Sequence, residues 1–225
     1  MTSVGVVTAL WRYPVKSMAG EALEEADVSW HGLAGDRRWA FVREGVERSG
    51  FPWLTIRERS DMLRYVPSLE DPGRPDASRI VVRTPSGDEL DVIDPALAAE
   101  LGHGARVIKQ NRGVFDTMPL SLLSVQSVER LRPGLDPRRF RPNILVEGAG
   151  EDEWVGRTLQ IGGMRMRVDQ HDERCVVVNV DPETTERDPS ILRKIAQERD
   201  SRFGVYGSVV APGRIAVGDP VVVDD

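Results

Sequence analysis

Short β-prone segments, each broken by glycine or proline, run along almost the whole chain. The 225 residues include 21 Gly and 15 Pro, and the segments between them are rich in valine, isoleucine and aromatic residues. Such side chains favour strands, whereas Gly and Pro favour turns. The pattern therefore predicts a mostly β (α+β) fold of the barrel or sandwich type, with about three short helices.

Strands are predicted at residues 4–12, 23–30, 38–43, 62–67, 79–84, 89–93, 144–146, 158–161, 164–168, 176–180, 205–210, 214–217 and 221–223. Asp94 and Pro95 suit the cap and first position of a helix that reaches Leu101. Further helices are predicted at residues 124–131, capped by Ser124, and at 190–198. Because the barrel-like first half ends near residue 110, we expect domains of residues 1–110 and 111–225.

The charge balance restricts the partners of the protein. A net charge of −6 and a pI near 5.3 argue against a nucleic-acid or anionic-membrane binder. A local basic pocket is still compatible with this overall charge. The first ten residues lack the basic start and apolar core of a signal peptide. With one cysteine and no apolar run of membrane-helix length, we expect a cytoplasmic protein.

Cys175 is the single cysteine of the chain, so it cannot form an internal disulfide. It can be inert packing, a nucleophile, a sulfur carrier or a metal ligand. The cation of Arg174 favours a thiolate, whereas Asp172 and Glu173 oppose it. His171, four residues earlier, is a possible base for the thiol, although its position on a strand favours a surface or pocket-rim location.

Three basic groupings precede or follow predicted strands, at residues 12–17, 35–39 and 139–143. Arginine, lysine and serine that converge at strand ends can hold a phosphate. The alternative is that each group is a solvated surface charge. Cys-x-x-Cys, His-Glu-x-x-His, Gly-x-Gly-x-x-Gly and Walker A motifs are absent, so zinc, NAD and ATP chemistry are unsupported.

Taken in order, these segments resemble the MOSC family and the N-terminal β-barrel domain that precedes MOSC in many members. The resemblance covers nearly the whole chain and is closest to the amidoxime-reducing branch. It depends on segments at residues 13–17, 35–39, 54–58, 115–124, 140–144, 152–162, 174–175, 180–184, 203–206 and 212–219. It implies an N-terminal β-barrel-like domain packed on a C-terminal β-barrel domain.

The resemblance also implies a molybdenum cofactor (Mo-molybdopterin) held between the two domains. Cys175 would be the catalytic thiolate and the molybdenum ligand. The predicted cofactor-binding residues are Lys16, Ser17 and Arg37 at the pterin phosphate, Arg141 and Asn143 near the pterin and metal, Asp116 in the pocket, and Arg174. Many relatives have Pro-Cys-Ser-Arg-Cys where this chain has His-Asp-Glu-Arg-Cys. Two acids beside Cys175 would repel an anionic cofactor unless they point to solvent.

The first functional hypothesis is therefore a molybdenum-dependent oxidoreductase that reduces N-hydroxylated or N-oxide small molecules. Its electrons would come from an external donor protein that carries flavin, an iron–sulfur cluster or haem, because the chain has no motif for such a group. The alternatives are a sulfur carrier that uses a Cys175 persulfide and a molybdopterin carrier. Molybdenum analysis and the mass of the purified protein distinguish them.

Overall fold

The structure is a computed structural model that describes residues 2–46, 48–148 and 150–224. Its strands are β1 (Thr2–Arg12), β2 (Glu21–Leu23), β3 (Glu25–Ser29), β4 (Gly32–Leu33), β5 (Trp39–Val42), β6 (Val66–Leu69), β7 (Ile80–Arg83), β8 (Glu89–Asp91), β9 (Arg106–Lys109), β10 (Leu120–Ser124), β11 (Ile144–Gly148), β12 (Thr158–Ile161), β13 (Met164–Glu173), β14 (Arg202–Ala211), β15 (Gly213–Ala216) and β16 (Pro220–Asp224). The helices are α1 (Pro95–Leu101), α2 (Val125–Leu131) and α3 (Ser190–Arg199). Four 3-10 helices are η1 (Ser60–Arg64), η2 (Pro137–Phe140), η3 (Glu151–Trp154) and η4 (Val176–Asn179).

Seven strands close into a barrel in the order β11-β10-β14-β13-β12-β16-β1, and β1 pairs back onto β11. Closure depends on the length of β1. Gly5 lies opposite both Gly148 of β11 and Val221 of β16. A closed barrel leaves no unpaired edge between these strands. The mostly β prediction is confirmed. The division at residue 110 stays a prediction, and the first strand of the chain pairs with strands from the C-terminal half.

Alternation along the strands fills the barrel. On β13, Met164, Met166 and Val168 are buried, whereas Arg165 and Arg167 between them are exposed. Successive strand residues point to opposite faces, so each barrel strand supplies one apolar row to the interior. The core cluster inside the barrel combines such rows from its strands.

The N-terminal lobe (residues 39–109) has its own core. It contains the pair β5–β9, the three-stranded sheet β6-β7-β8 and helix α1, and Phe41, Leu54 and Val82 are fully buried within it. Asp94 caps α1 as predicted, because its Oδ1 accepts a hydrogen bond from the Ala96 amide at 2.8 Å. The strands predicted at residues 79–84 and 89–93 correspond to β7 and β8, which pair antiparallel.

Two predicted strands are wrong in whole or in part. Residues 176–179 form η4 rather than a strand, because β13 ends at Glu173 and Val178 packs with the apolar face of α3. Val180 forms an isolated bridge with Arg187. Strand propensity depends on a partner strand, and no strand pairs with the valines of η4 among the described residues. Residues 62–67 divide between η1 and β6. The first change places Cys175 at the N-terminal cap of η4.

Candidate functional site

A cleft of about 340 Å³ lies between the N-terminal lobe and one end of the barrel. Six basic and three acidic side chains are among its described lining residues, so a locally cationic site exists on a chain of net charge −6. The cleft brings together every site residue expected from the sequence, namely Lys16, Ser17, Arg37, Asp116, Arg141, Asn143, Arg174 and Cys175.

Three of these residues have left-handed backbone conformations that non-glycine residues rarely adopt. The φ angles are 69° at Ser17, 50° at Arg37 and 51° at Arg141. Such conformations cost about 1–3 kcal/mol each and persist where the surroundings impose them. The backbone amide of Arg37 donates to the Tyr13 carbonyl at 2.7 Å, and that of Arg141 to the Arg138 carbonyl at 3.0 Å. The strain is thus concentrated in the loops that present cations to the cleft.

Arg37 is anchored by protein partners on both guanidinium nitrogens. Its Nη1 pairs with Asp36, a fully buried carboxylate, and donates to Asn143 Oδ1 at 3.3 Å. Its Nη2 donates to the Arg141 carbonyl at 3.0 Å. Burial would lower the pKa of Arg37, but Asp36 outweighs it and the pKa is raised. Arg37 is therefore a permanently charged, rigid part of the cleft wall.

Arg141 is a partly buried cation with a buried, unsatisfied donor. Its Nη1 donates to the Met18 carbonyl at 2.8 Å, while its Nη2 is buried and has no hydrogen-bond partner. Burial, helped by repulsion from Arg37 and opposed by Tyr13, lowers the pKa of Arg141 to about 10. A buried charge without a counterion is costly. The arrangement fits an anion bound in the cleft.

Lys16 and Asp116 form an ion pair at the same side of the cleft. Lys16 is buried and also donates to the Val114 carbonyl at 3.2 Å, and burial lowers its pKa. Burial would raise the pKa of Asp116, but Lys16 outweighs it and holds that pKa below its usual value. Asp116 is therefore ionised and partly neutralises the cationic group, next to the buried Ser17.

Asn143 uses its amide within the protein. Its Oδ1 accepts from the Ser121 amide at 3.2 Å and its Nδ2 donates to the Trp11 carbonyl at 3.2 Å. The side chain thereby joins β1 to β10 and also contacts Arg37. These bonds use both ends of the amide, so the structure supports a positioning role for Asn143.

Cys175 is half-buried at the cleft, and the cation that reaches its sulfur is Arg57. Arg57 Nη2 lies 3.3 Å from the Cys175 Sγ, close enough to stabilise negative charge on sulfur. The sequence pointed to Arg174 for this role, but Arg174 Nη1 pairs with Asp172 at 2.8 Å. Arg57 was missed because 118 positions separate it from the cysteine and no local pattern links them.

The two acids that precede Arg174 have different surroundings. Asp172 is buried, pairs with Arg174, and receives hydrogen bonds from the Tyr206 hydroxyl and from Ser121 Oγ, the latter at 3.4 Å. Burial raises the pKa of Asp172 to about 6. Glu173 is exposed. One acid is therefore paired and the other solvated, which reduces the repulsion of an anion expected from the sequence.

His171 does not line the cleft, and its Nε2 lies 3.4 Å from Asp152 Oδ1. No group of three or more His, Cys, Asp or Glu side chains within residues 2–46, 48–148 and 150–224 is arranged to hold a metal ion. A metal here would need ligands from a cofactor besides the sulfur of Cys175. In that same part of the chain, no helix has the length and apolar character required to cross a bilayer.

Comparisons with known proteins agree with this architecture. Residues 4–112 match the model of the MOSC N-terminal beta barrel domain, and residues 110–222 match that of the MOSC domain. The chain is 26% identical to mitochondrial amidoxime reducing component 2 of Bos taurus, over 98% of this chain and 84% of that protein. It is 29% identical to the molybdenum cofactor sulfurase of Drosophila erecta, over 94% of this chain but 34% of that protein.

Among solved structures, the fold is similar to that of the YUAD protein from Bacillus subtilis. The TM-score is 0.55 at 12% sequence identity, over 98% of this chain and 95% of that one. Two family models that together span the chain, and the expected residues gathered at one cleft, lead to one conclusion: the chain belongs to the MOSC family and carries the MOSC N-terminal β-barrel domain.

Proposed function

We propose that the protein is a molybdenum-cofactor-dependent oxidoreductase that reduces N-hydroxylated or N-oxide compounds. The single observation that carries the proposal is the cleft in which the unsatisfied cation of Arg141 and the thiol of Cys175 face the same space. An anionic pterin cofactor would supply both the missing counterion and the remaining metal ligands. The similarity to amidoxime-reducing components supports the reaction class.

In this proposal two groups of cleft residues have separate tasks. Lys16, Ser17, Arg37 and Arg141 hold the cofactor phosphate and pterin, because donors and charges converge there. Cys175 ligates molybdenum through its thiolate, a soft ligand suited to that metal. When bound, the cofactor supplies the oxygen-atom transfer chemistry. The residues of the chain bind and orient the cofactor and the substrate, and they exclude water.

The reaction is balanced by two electrons and two protons. An amidoxime gains both and yields an amidine and water, as the N–O bond breaks and the oxygen leaves as water. The electrons come from an external flavin, iron–sulfur or haem protein. The buried Asp172 and the half-buried Tyr206, whose hydroxyl donates to it, both line the cleft. Together they can hold a proton near the reacting centre.

The test combines metal analysis with an activity assay on the purified protein. We expect stoichiometric molybdenum and reduction of benzamidoxime by dithionite-reduced methyl viologen. Cys175→Ser should lose both the metal and the activity and keep its circular dichroism spectrum and melting temperature, because the side chain is half-buried and nearly isosteric. Full activity of Cys175→Ser, or wild-type protein that contains molybdenum and reduces none of these compounds, would contradict the proposal.

A sulfur carrier is the second candidate, favoured by the similarity to molybdenum cofactor sulfurase and by a thiol that solvent reaches. The thiolate would attack the outer sulfur of a donor persulfide, take that sulfur atom as its own persulfide, and release the donor as a thiolate. It would then pass the sulfur on in the same kind of step to an accepting thiolate. Metal-free protein whose mass rises by about 32 units at Cys175, reversed by a reductant, would support this candidate over the first.

A further inference from the structure

We propose that Arg57 selects the substrate, and that the site prefers compounds with an anionic group, such as a carboxylate, near the reducible N–O group. The inference deepens the proposed function and rests on it. It starts from the one cleft cation, among the described residues, whose closest partner is the sulfur of Cys175. That sulfur is the metal ligand in the first candidate function and the sulfur acceptor in the second.

The loop that carries Arg57 is held rigidly. Glu58 Oε2 accepts from both the amide and the hydroxyl of Thr55, at 3.0 and 2.7 Å. Arg43 pairs with the same carboxylate at 3.2 Å. The guanidinium carbon of Arg57 lies 4.9 Å from the centroid of the Phe51 ring. Hydrogen bonds and an ion pair of the loop, together with the contact to the Phe51 ring, thus hold the Arg57 side chain in one position. This lowers the entropic cost of binding a ligand through Arg57.

The other cations near Cys175 already have carboxylate partners. Arg174 pairs with Asp172 at 2.8 Å, and Arg139 with Asp181 at 2.6 Å. The acid closest to Arg57 is Asp116 at 3.8 Å, beyond hydrogen-bond distance, and it pairs more closely with Lys16. Among the described residues, the sulfur of Cys175 is therefore the nearest group that can balance the charge of Arg57.

That balance changes when the sulfur reacts. A metal ion that binds the sulfur draws negative charge away from it, so the neighbouring guanidinium then needs another anion. The side chain of Arg57 is 33% exposed, so a substrate group can reach it from solvent. An anion is attracted and a cation repelled at this position, because partial burial weakens screening by water. Arginine also binds carboxylates through two parallel hydrogen bonds.

The experiment compares three benzamidoximes that differ only in the para substituent: carboxylate, hydrogen and trimethylammonium. With molybdenum-loaded protein, kcat/KM for the carboxylate should exceed that for the trimethylammonium compound by about tenfold or more, mainly through KM. In Arg57→Gln the ratio should fall to near one. Arg64→Gln removes the same charge from an exposed site in the same lobe, and its ratio should equal that of the wild type.

A second readout does not depend on activity. In metal-free protein, para-carboxybenzamidoxime should slow alkylation of Cys175 by iodoacetamide, and the trimethylammonium compound should not, as measured by intact mass. For each variant, the alkylation rate with the compound is compared with the rate without it. A change in the intrinsic reactivity of the thiol therefore does not affect the comparison. Protection should be lost in Arg57→Gln.

The two readouts separate failure of this inference from failure of the proposed function. Loaded protein that reduces none of the three compounds rejects the proposed function, and the alkylation assay then decides the role of Arg57. Equal kcat/KM values for both charged compounds would overturn the inference. So would protection that survives Arg57→Gln and disappears in Arg141→Gln, because the ligand would then bind at Arg141 rather than at Arg57.

Discussion

The environment of Asp172 in the structure differs from the one that its position in the sequence suggests. In the sequence it is an acid beside the candidate metal ligand. In the structure it is 2% exposed and its charge is held by Arg174 at 2.8 Å. The pairing lowers its pKa, but burial outweighs this and the pKa rises from 3.8 to about 6. Such a group lowers stability when ionised and holds a proton close to neutral pH.

The pH dependence of stability tests whether the pKa of Asp172 is raised. Between about pH 4 and 6 the native carboxyl retains a proton that the unfolded chain has lost, so ionisation of Asp172 lowers the free energy of unfolding as pH rises. The limit is about 3 kcal/mol. Relative to wild type, Asp172→Asn should therefore become more stable by up to that amount from pH 4 to pH 7, as measured by urea unfolding.

Asp116→Asn is the matched control, because the pKa of Asp116 is lowered rather than raised. Its stability relative to wild type should fall, not rise, as the pH increases through the titration of that carboxyl. Parallel pH profiles for wild type and Asp172→Asn would show that Asp172 has an ordinary pKa.

At the scale of elements, the ends of the barrel strands place the site. β1 ends at Arg12, just before the Lys16 loop, and β13 ends at Glu173, just before Cys175. The site also requires a glycine at position 204 of strand β14, where φ is 79°. A Cβ there would lie 3.0 Å from both Arg174 Nη2 and the Leu122 carbonyl. Glycine thus lets Arg174 lie against the strand.

Gly204→Ala should therefore lower the free energy of unfolding by more than backbone strain alone would. Gly87 is the matched control, because its φ is 99° and a Cβ added there would meet no atom within 4 Å. Gly87→Ala should lower the free energy of unfolding by about 1 kcal/mol, and Gly204→Ala by about 2–3 kcal/mol because of the added contacts. Only Gly204→Ala should also reduce molybdenum content. Equal losses in both variants would contradict this account.

At the scale of the whole molecule, the cleft concentrates positive charge on an acidic protein. The lobe and the barrel meet at six basic lining residues among those described, and the unsatisfied donor of Arg141 lies there. An anion that binds the folded state, and not the unfolded chain, shifts the folding equilibrium toward the native form. The metal-free protein should therefore be stabilised by phosphate beyond any effect of ionic strength.

Phosphate at about ten times its dissociation constant should add about 1.4 kcal/mol, which raises the melting temperature by roughly 3–5 °C in a chain of this size. Chloride at matched ionic strength should not do so. Arg141→Gln should abolish the phosphate effect, because it removes the cation that lacks a counterion. An equal rise with both salts would argue against a built anion site.

The sequence by itself determined the fold class, most of the strands, the caps of α1 and α2, and, through the family resemblance, eight of the residues that line the cleft. Strand alternation and capping are local, so they can be read from neighbours along the chain. Only the tertiary structure decided that residues 176–179 form η4, that β1 closes the barrel, and that Arg57 rather than Arg174 reaches Cys175. Those features depend on contacts between distant segments, and charge pairing and burial there are set by three-dimensional packing rather than by order along the chain.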